Sequence, residues 1–514
     1  MKPIRLVRGF LTVGGWTLAS RILGFVRDAW IAAALGTGPV AQAFIVAFAL
    51  PNMFRRFFAE GAFNMAFVPM FSKKLEGGED AEDFARDAMA GLATVVLAVT
   101  LLAQVFMPGL VWLMASGYAG DERFALSVDF GRIAFPYILF ISLAALASGV
   151  LNATGRFAAA AAAPVLLNVL FIGTLSLAPR LGWDFGTALV WTVPVAGIAQ
   201  FALVWWAARS AGIRLIPRMP RLTPDLRRLA LIAAPAMLAG GVVQVNLLIG
   251  RQVASYYDAA VAWLYNADRL YQLPLGVVAI AIGVVLLPDL SRRLKAGDEE
   301  GGRHSLSRAS EFALMLTIPA SVALVVIPIP LVSVLFERGK FGPDDTAATA
   351  FAVAVYGLGL PAFVLQKVLQ PLYFAREDTR RPFWFALLAM VVNAAVAVGL
   401  SPVIGFIAAA LATTLAGWAM VGFLWWGARG MGIAATFDDR FHRRWPRIIA
   451  ASAFMGLCLW LGTVILGPAL GMAFWRYVAL AALVGIGVIS YFGSGAMIGA
   501  FRLSDITGNM RRQR

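Results

Sequence analysis

Apolar runs of about twenty residues follow one another along this chain, with short polar breaks between them. That length matches the hydrocarbon thickness a helix must cross. Read this way, the sequence predicts fourteen spans, near 10–35, 40–71, 87–110, 129–150, 158–178, 187–207, 229–253, 261–287, 311–336, 348–373, 383–399, 403–426, 447–466 and 474–495. The expected fold class is an all-α polytopic membrane protein.

Several spans break the apolar rule. Arg21, Arg27 and Asp28 lie inside GWTLASRILGFVRDAWIAAAL, and Pro51, Arg55, Arg56 and Glu60 inside FIVAFALPNMFRRFFAEGAFNMAFVPMF. A charged side chain at the bilayer centre costs about 2.5–3.5 kcal/mol even on insertion scales. Such residues persist where they face a wet, protein-lined cavity, so they point to a path for an anion. Arg21 and Asp28 are two turns apart and share a face, with Arg27 beside that stripe. Arg56 and Glu60 stand at i, i+4 and pair, leaving Arg55 available, and Pro51 predicts a kink. Asp268 adjoins Arg269 in span 261–287 with Gln272 one turn on, and Lys367 lies in 348–373.

Structural ion pairs between helices are the plain alternative. Yet Arg21, Arg27, Arg55, Arg56, Arg269 and Lys367 face only Asp28, Glu60 and Asp268. Excess cations in a low-dielectric lumen are costly unless an anion visits. Arginine dominates, which suits bidentate capture of phosphate oxygens. Arg132, Arg251 and Arg476, near span ends, read as side chains snorkelling to the headgroups.

The chain also matches itself. Trp205, Trp206, Ala208, Arg209, Gly212 and Ile213 recur at Trp425, Trp426, Ala428, Arg429, Gly432 and Ile433. Pro136, Thr154, Arg156 and Asn168 reappear as Pro361, Thr379, Arg381 and Asn393, and PMFSKKL at 69–75 as PDLSRRL at 288–294. Three ordered sets at nearly constant offset predict two parallel six-helix lobes, 1–213 and 214–433, with an extra helix pair and basic tail over 434–514. Parallel repeats of this kind build transporters with a site at the repeat interface.

Composition sharpens the class. Of 514 residues 60% are hydrophobic and 14% charged, against about 25% charged in an average soluble domain. The formal charge of +15 sits mainly in alternate loops such as ARSAGIRLIPRMPRLTPDLRR and DDRFHRRWPR. That asymmetry places both termini in the cytoplasm and argues against nucleic acid. Cys458 is the single cysteine, and His304 and His442 fall in polar stretches read as solvated loops, so no metal is expected. The start MKPIRLVRGF lacks a small-x-small cleavage site and predicts an uncleaved first helix. Asp344–Asp345 and Asp438–Asp439 read as solvated loop pairs, and no nucleophile, metal or phosphate-loop motif points to an enzyme.

SRILGFVRDAW at 20–30, LPNMFRRFFAEGAFNMAFVPMF at 50–71, FPYILFISLAAL at 135–146, YNADRLYQLPLG at 265–276 and VLLPDLSRRL at 285–294 resemble the MurJ (MviN-type) family of lipid II flippases, of the multidrug/oligosaccharidyl-lipid/polysaccharide exporter superfamily. The resemblance spans essentially the whole chain. It implies a V-shaped pair of lobes around a cationic cavity, helices 13 and 14 forming a lipid-accessible groove, and export of undecaprenyl-pyrophosphate-linked disaccharide-pentapeptide in the cytoplasmic (inner) membrane of a bacterium for peptidoglycan synthesis. It implies substrate binding by Arg21, Arg27, Asp28, Arg55 and Arg269, with Ser20, Glu60, Asp268 and Lys367 supporting or gating. No cofactor is implied; coupling to membrane potential or to an ion gradient stays open. Lipid II, membrane lipids and the cell-wall synthesis machinery are the implied partners. Relatives often carry Asp at the position of Gln42 and Glu at that of Gln272, and some bind sodium through an acid in the seventh helix, which 229–253 lacks. Three alternatives remain: a drug or cation exporter, which would want an acidic cavity; a flippase for another prenyl-pyrophosphate glycan; and a membrane glycosyltransferase or phosphatase, which would need a catalytic constellation.

Overall fold

A computed structural model describes residues 3–58, 62–216 and 218–501, and these residues form helices without a strand. In lipid every backbone N–H and C=O must be satisfied within its own segment, so apolar runs of this kind become helices. Two compact units emerge, Met1–Ala262 with Arg338–Phe341, and Trp263–Glu337 with Gly342–Arg514. Unit 1 holds α1 (Pro3–Leu35), α2 (Pro39–Phe58), α3 (Ala62–Glu76), α4 (Ala81–Ala115), α5 (Glu122–Ala134), α6 (Tyr137–Ala153), α7 (Ala158–Leu181), α8 (Phe185–Ser210) and α9 (Pro224–Ala254). After the boundary come α10 (Ala260–Lys295), α11 (Glu299–Val326), α12 (Pro328–Phe336), α13 (Pro343–Phe374), α14 (Arg380–Ile404), α15 (Ile407–Ala428), α16 (Asp439–Leu470) and α17 (Trp475–Met497). Ten helical stretches among the described residues are long and apolar enough to cross a membrane. The division expected at 213 follows the internal matches; the compact unit runs on to Ala262 because α9 packs against α3 and α4.

Local chemistry sets the helix ends. Asp121, Asp184, Thr223, Asp298 and Asp438 are N-caps whose side chains accept backbone N–H bonds from the first turns of α5, α8, α9, α11 and α16. Three expected spans each cover two helices. Span 311–336 breaks at Ile327 (φ −121°, ψ 41°), which precedes Pro328 and is pushed out of the helical region by the proline ring. Span 129–150 divides around Pro136 between α5 and α6. The long run 40–71 is α2 and α3, and Pro51 lies inside α2.

Each unit has its own core. In unit 1, Phe44, Phe48, Phe171, Tyr137, Val190 and Val193 pack together, with Phe48 edge-on to Phe171 at 5.7 Å. In unit 2, α13 packs against α11 and α15 around Val364, Val368, Tyr373 and Leu424, and the α16–α17 pair packs against α11 around Met315, Ile448, Met455 and Tyr491.

Left-handed backbone falls at Gly36, Gly78, Gly120, Gly155, Gly182 and Gly212, and again at Ala259, Gly297, Gly339, Glu377, Gly405 and Gly432. Taken in order, the two sets pair at offsets of 219 to 223 residues. Ala259 and Glu377 are the two described non-glycine residues in that region (φ 59° and 60°), where the earlier half has Gly36 and Gly155. A side chain there costs about 1–2 kcal/mol, and glycine's extra chain entropy returns roughly 0.5–1 kcal/mol of that. Glu377→Gly is therefore expected to stabilise the protein by about 0.5–1 kcal/mol, read as a rise in the thermal midpoint of the detergent-purified protein.

Both halves also tie a helix start to the segment after their Gly-Ile pair. Glu82 in α4 accepts from the Arg214 N–H at 2.9 Å, and Arg86 Nε donates to the Arg214 carbonyl at 2.7 Å. Glu299 in α11 accepts from the Ala434 N–H at 2.8 Å, and Arg303 Nη2 donates to the Phe437 carbonyl at 2.9 Å.

One short segment joins unit 1 from far along the chain. Arg338–Phe341 lies on the end of α1, where the Lys340 N–H donates to the Ala33 carbonyl at 2.9 Å. The fit is backbone against backbone. A Cβ on Gly339 would sit 2.3 Å from the Ala33 oxygen, and one on Gly36 would sit 2.7 Å from the Lys340 oxygen.

Candidate functional site

Within unit 1 the expected residues gather on α1 and α2. Arg27 and Asp28 are buried (7% and 3% exposed), whereas Arg21 is exposed and Ser20 half-buried. Arg27 Nε and Nη2 both donate to Asp28 Oδ1, at 2.9 and 2.7 Å. Its Nη1 donates to Asn168 Oδ1 at 2.9 Å. The guanidinium carbon lies 5.8 Å from the Phe48 ring centre and 5.5 Å from that of Phe171, within cation–π range. Asn168 on α7 turns its amide nitrogen to the Ser20 carbonyl at 2.9 Å and to Ser20 Oγ at 3.4 Å. Ser20, Arg27 and Asp28 thus belong to one network through a residue that sequence reasoning used only as a repeat marker. Its signal was there: an amide inside the apolar run PVLLNVLFIG.

Arg55 is half-buried and Arg56 exposed in the last turn of α2, where cations also complement the helix C-terminus. Glu60, the expected partner of Arg56, lies outside the described residues.

In unit 2, Asp268 and Arg269 are half-buried on α10. Arg269 Nη2 donates to the Tyr265 hydroxyl at 2.9 Å, and its guanidinium covers the same ring at 4.6 Å. Gln272 donates to the Asp268 carboxylate. Lys367 is exposed on α13, and three turns earlier on that helix Tyr356 stacks 5.2 Å from Tyr271 of α10.

Gln42 is buried in unit 1. Its Nε2 donates to the Thr37 carbonyl, and its Oε1 accepts from the Tyr118 hydroxyl at 3.2 Å and Arg123 Nη1 at 3.3 Å. Arg123 takes its own counter-charge from Asp121 at 2.5 Å and lies 4.5 Å over the Tyr118 ring. Partial burial opposes ionisation of Asp121, but the Arg123 contacts outweigh it and hold the carboxyl below its ordinary range.

Some loop readings need correction. His304 and His442 lie in the helical turns that open α11 and α16. Asp345 is not merely solvated: it accepts from the Gly342 N–H at 3.0 Å and from Trp263 Nε1 at 2.8 Å. Asp438 caps α16 and pairs with Arg308 at 2.5 Å. The basic stretches also make structural ion pairs. Arg218 meets Asp87 at 2.6 Å, and buried Glu311 on α11 is ringed by Arg308 at 2.5 Å, Arg440 at 3.4 Å and Arg444 at 3.5 Å. These contacts went unseen because their partners lie more than a hundred residues apart in most cases.

In each unit one arginine inside an apolar helix is held by neighbours, Arg27 by Asn168, Phe48 and Phe171 and Arg269 by Tyr265, and a guanidinium is a group suited to phosphate oxygens. Comparison with known proteins places the chain in a family. The family model described as "Lipid II flippase MurJ" matches residues 31–481. A protein of Rhizobium meliloti (strain 1021) named "Probable lipid II flippase MurJ" is 45% identical, over 99% of this chain and 96% of its own length. The "Lipid II flippase MurJ" of Burkholderia cenocepacia is 37% identical, over 76% of this chain and 77% of its own. Among solved structures, "Lipid II flippase MurJ, inward closed conformation" superposes with a TM-score of 0.78 at 25% identity, covering 94% of this chain and 98% of that one. An inward-facing multidrug resistance transporter of the MATE family, in the MOP superfamily, matches with a TM-score of 0.69 at 13% identity, covering 80% of this chain and 95% of that one, and shares the fold.

Proposed function

The chain belongs to the lipid II flippase MurJ family, and from that premise we propose that it moves lipid II from the inner to the outer leaflet of the bacterial cytoplasmic membrane by alternating access. The cargo is an undecaprenyl-pyrophosphate-linked disaccharide-pentapeptide, and its delivery feeds peptidoglycan synthesis. The family is one of transporters, so the lipid crosses without a covalent step. The observation that carries the reading is the cationic excess inside apolar helices: Arg21, Arg27 and Arg55 against Asp28 in unit 1, and Arg269 and Lys367 against Asp268 in unit 2.

In this reading Arg21, Arg27, Arg55 and Arg269 bind the pyrophosphate and Asp28 orders Arg27. Ser20, Glu60, Asp268 and Lys367 support or gate the site. The prenyl tail stays in lipid beside α16 and α17, which avoids carrying a long apolar chain through a polar lumen. Export of net negative charge is favoured by a membrane potential positive outside, by about 2.3 kcal/mol per charge per 100 mV, so coupling to that potential needs no named ion. Depleting the protein and extracting the membrane lipids is the direct test. Lipid II should accumulate on the inner face; accumulation of a different prenyl-pyrophosphate glycan overturns the choice of substrate.

The architecture proposed with it has fourteen spans, two six-helix lobes over 1–213 and 214–433, an appended pair over 434–514, and both termini in the cytoplasm. The residue matches, the paired left-handed positions and the two Glu-to-backbone ties support a duplication. Single cysteines placed in 208–228 of a Cys458→Ala chain should be labelled only after the inner face is exposed. Labelling from outside overturns the topology.

A further inference from the structure

We infer that Asn168 is a positioning residue for pyrophosphate recognition, holding the Arg27 guanidinium in the orientation in which it meets the anion; this rests on the substrate role of Arg27 proposed above. Asn168 is 4% exposed and uses both ends of its amide. One end accepts from Arg27 Nη1 at 2.9 Å, the other donates to the Ser20 carbonyl at 2.9 Å. Ser20 and Arg27 are two turns apart on one face of α1, so a single side chain of α7 spans that face and fixes both the rotation of α1 and the plane of the guanidinium. Gly24 lies between them, and a Cβ there would be 3.6 Å from the amide, in ordinary contact.

The chemistry explains why an amide suits this position. Among the described residues, three of the five guanidinium N–H groups of Arg27 are engaged, two by Asp28 and one by Asn168. Two donors remain for an incoming oxyanion. Asp28 already balances the charge of Arg27. A second carboxylate at 168 would make the cluster net negative and repel a phosphate, whereas a neutral amide orients the guanidinium and leaves the charge as it is. Without that acceptor, Nη1 is a buried donor with no partner, and the side chain turns to find one.

The test is a double-mutant cycle on the full-length purified protein, read as binding of a short-chain prenyl pyrophosphate with the prenyl monophosphate as reference. Asn168→Ala is expected to weaken pyrophosphate binding about tenfold, the scale of one lost charge-assisted hydrogen bond. Asn168→Leu, which keeps the side-chain volume, should lose as much. In an Arg27→Ala background neither substitution should weaken binding further, because Asn168 acts through Arg27. Asn168→Leu binding like the native chain would make the role one of packing and overturn the inference. So would a loss that simply adds to that of Arg27→Ala, or a loss with Arg27→Ala and none with either Asn168 variant. If Arg27→Ala itself leaves binding unchanged, the substrate role of Arg27 falls, and the inference with it.

Discussion

Alanine at Arg21, Arg55 or Arg269 is expected to abolish lipid flipping while the protein still inserts. On the proposed binding site each substitution removes a charge-assisted contact to phosphate, about 1.5–3 kcal/mol, hence roughly ten- to a hundredfold in affinity per site. Neighbouring arginines on one ligand compound that loss. Lysine should rescue poorly, since it keeps the charge but loses the planar fork that grips two oxygens. At Arg269 the loss has a second part: lysine forgoes the stacking on Tyr265, so Arg269→Lys should do worse than Arg21→Lys, whose side chain is exposed. Complementation of a depleted strain, with membrane insertion checked by blot, reads all of these. Normal growth with alanine at three of Arg21, Arg27, Arg55 and Arg269 would show that these residues are not the substrate site.

Glu311→Ala should be the most damaging single change to the attachment of the appended helices. Glu311 is 7% exposed and stands among Arg308, Arg440 and Arg444, the last two on α16. Removing one member of a buried ionic cluster leaves like charges facing each other across a dry contact, typically 3–5 kcal/mol. The arginines are partly exposed and Asp438 still serves Arg308, so about 2–3 kcal/mol is expected here. Glu311→Gln, which keeps the shape, should lose most of the same stability. Adding Arg444→Met to Glu311→Gln should restore part of it, because a repelled charge is gone. Thermal unfolding of the purified protein measures each variant, and a Glu311→Gln chain as stable as the native one would mean that shape, not charge, holds α16 to α11.

The helices were legible because the bilayer leaves the backbone few options: an apolar run of the right length becomes helical whatever its neighbours are. Breaks inside a run were harder. Pro328 ends α11 at Ile327, whereas Pro319 and Pro361 sit inside unbroken helices, and nothing local to the sequence separates the cases. Charged residues followed the same division. Arg27 announced itself by being in the wrong solvent. Its partner Asn168 is 141 residues away, and the pairing depends on how α1 lies on α7, which periodicity does not encode. Asp345 and Asp438 read as loop acids because their partners, a tryptophan and an arginine, come from elsewhere in the chain.

The docking of Arg338–Phe341 on the end of α1 has a consequence for mutational scanning. Its described attachment is a main-chain hydrogen bond between two glycine-relieved turns, so trimming the Lys340 side chain leaves it untouched. An alanine scan reports Lys340 as tolerant, yet the same scan, on reaching Gly36 or Gly339, inserts a methyl group where a carbonyl oxygen already stands. The tolerance profile of this region should therefore alternate: permissive at the exposed Lys340, intolerant at Gly36, at Gly339 and at the buried Phe341.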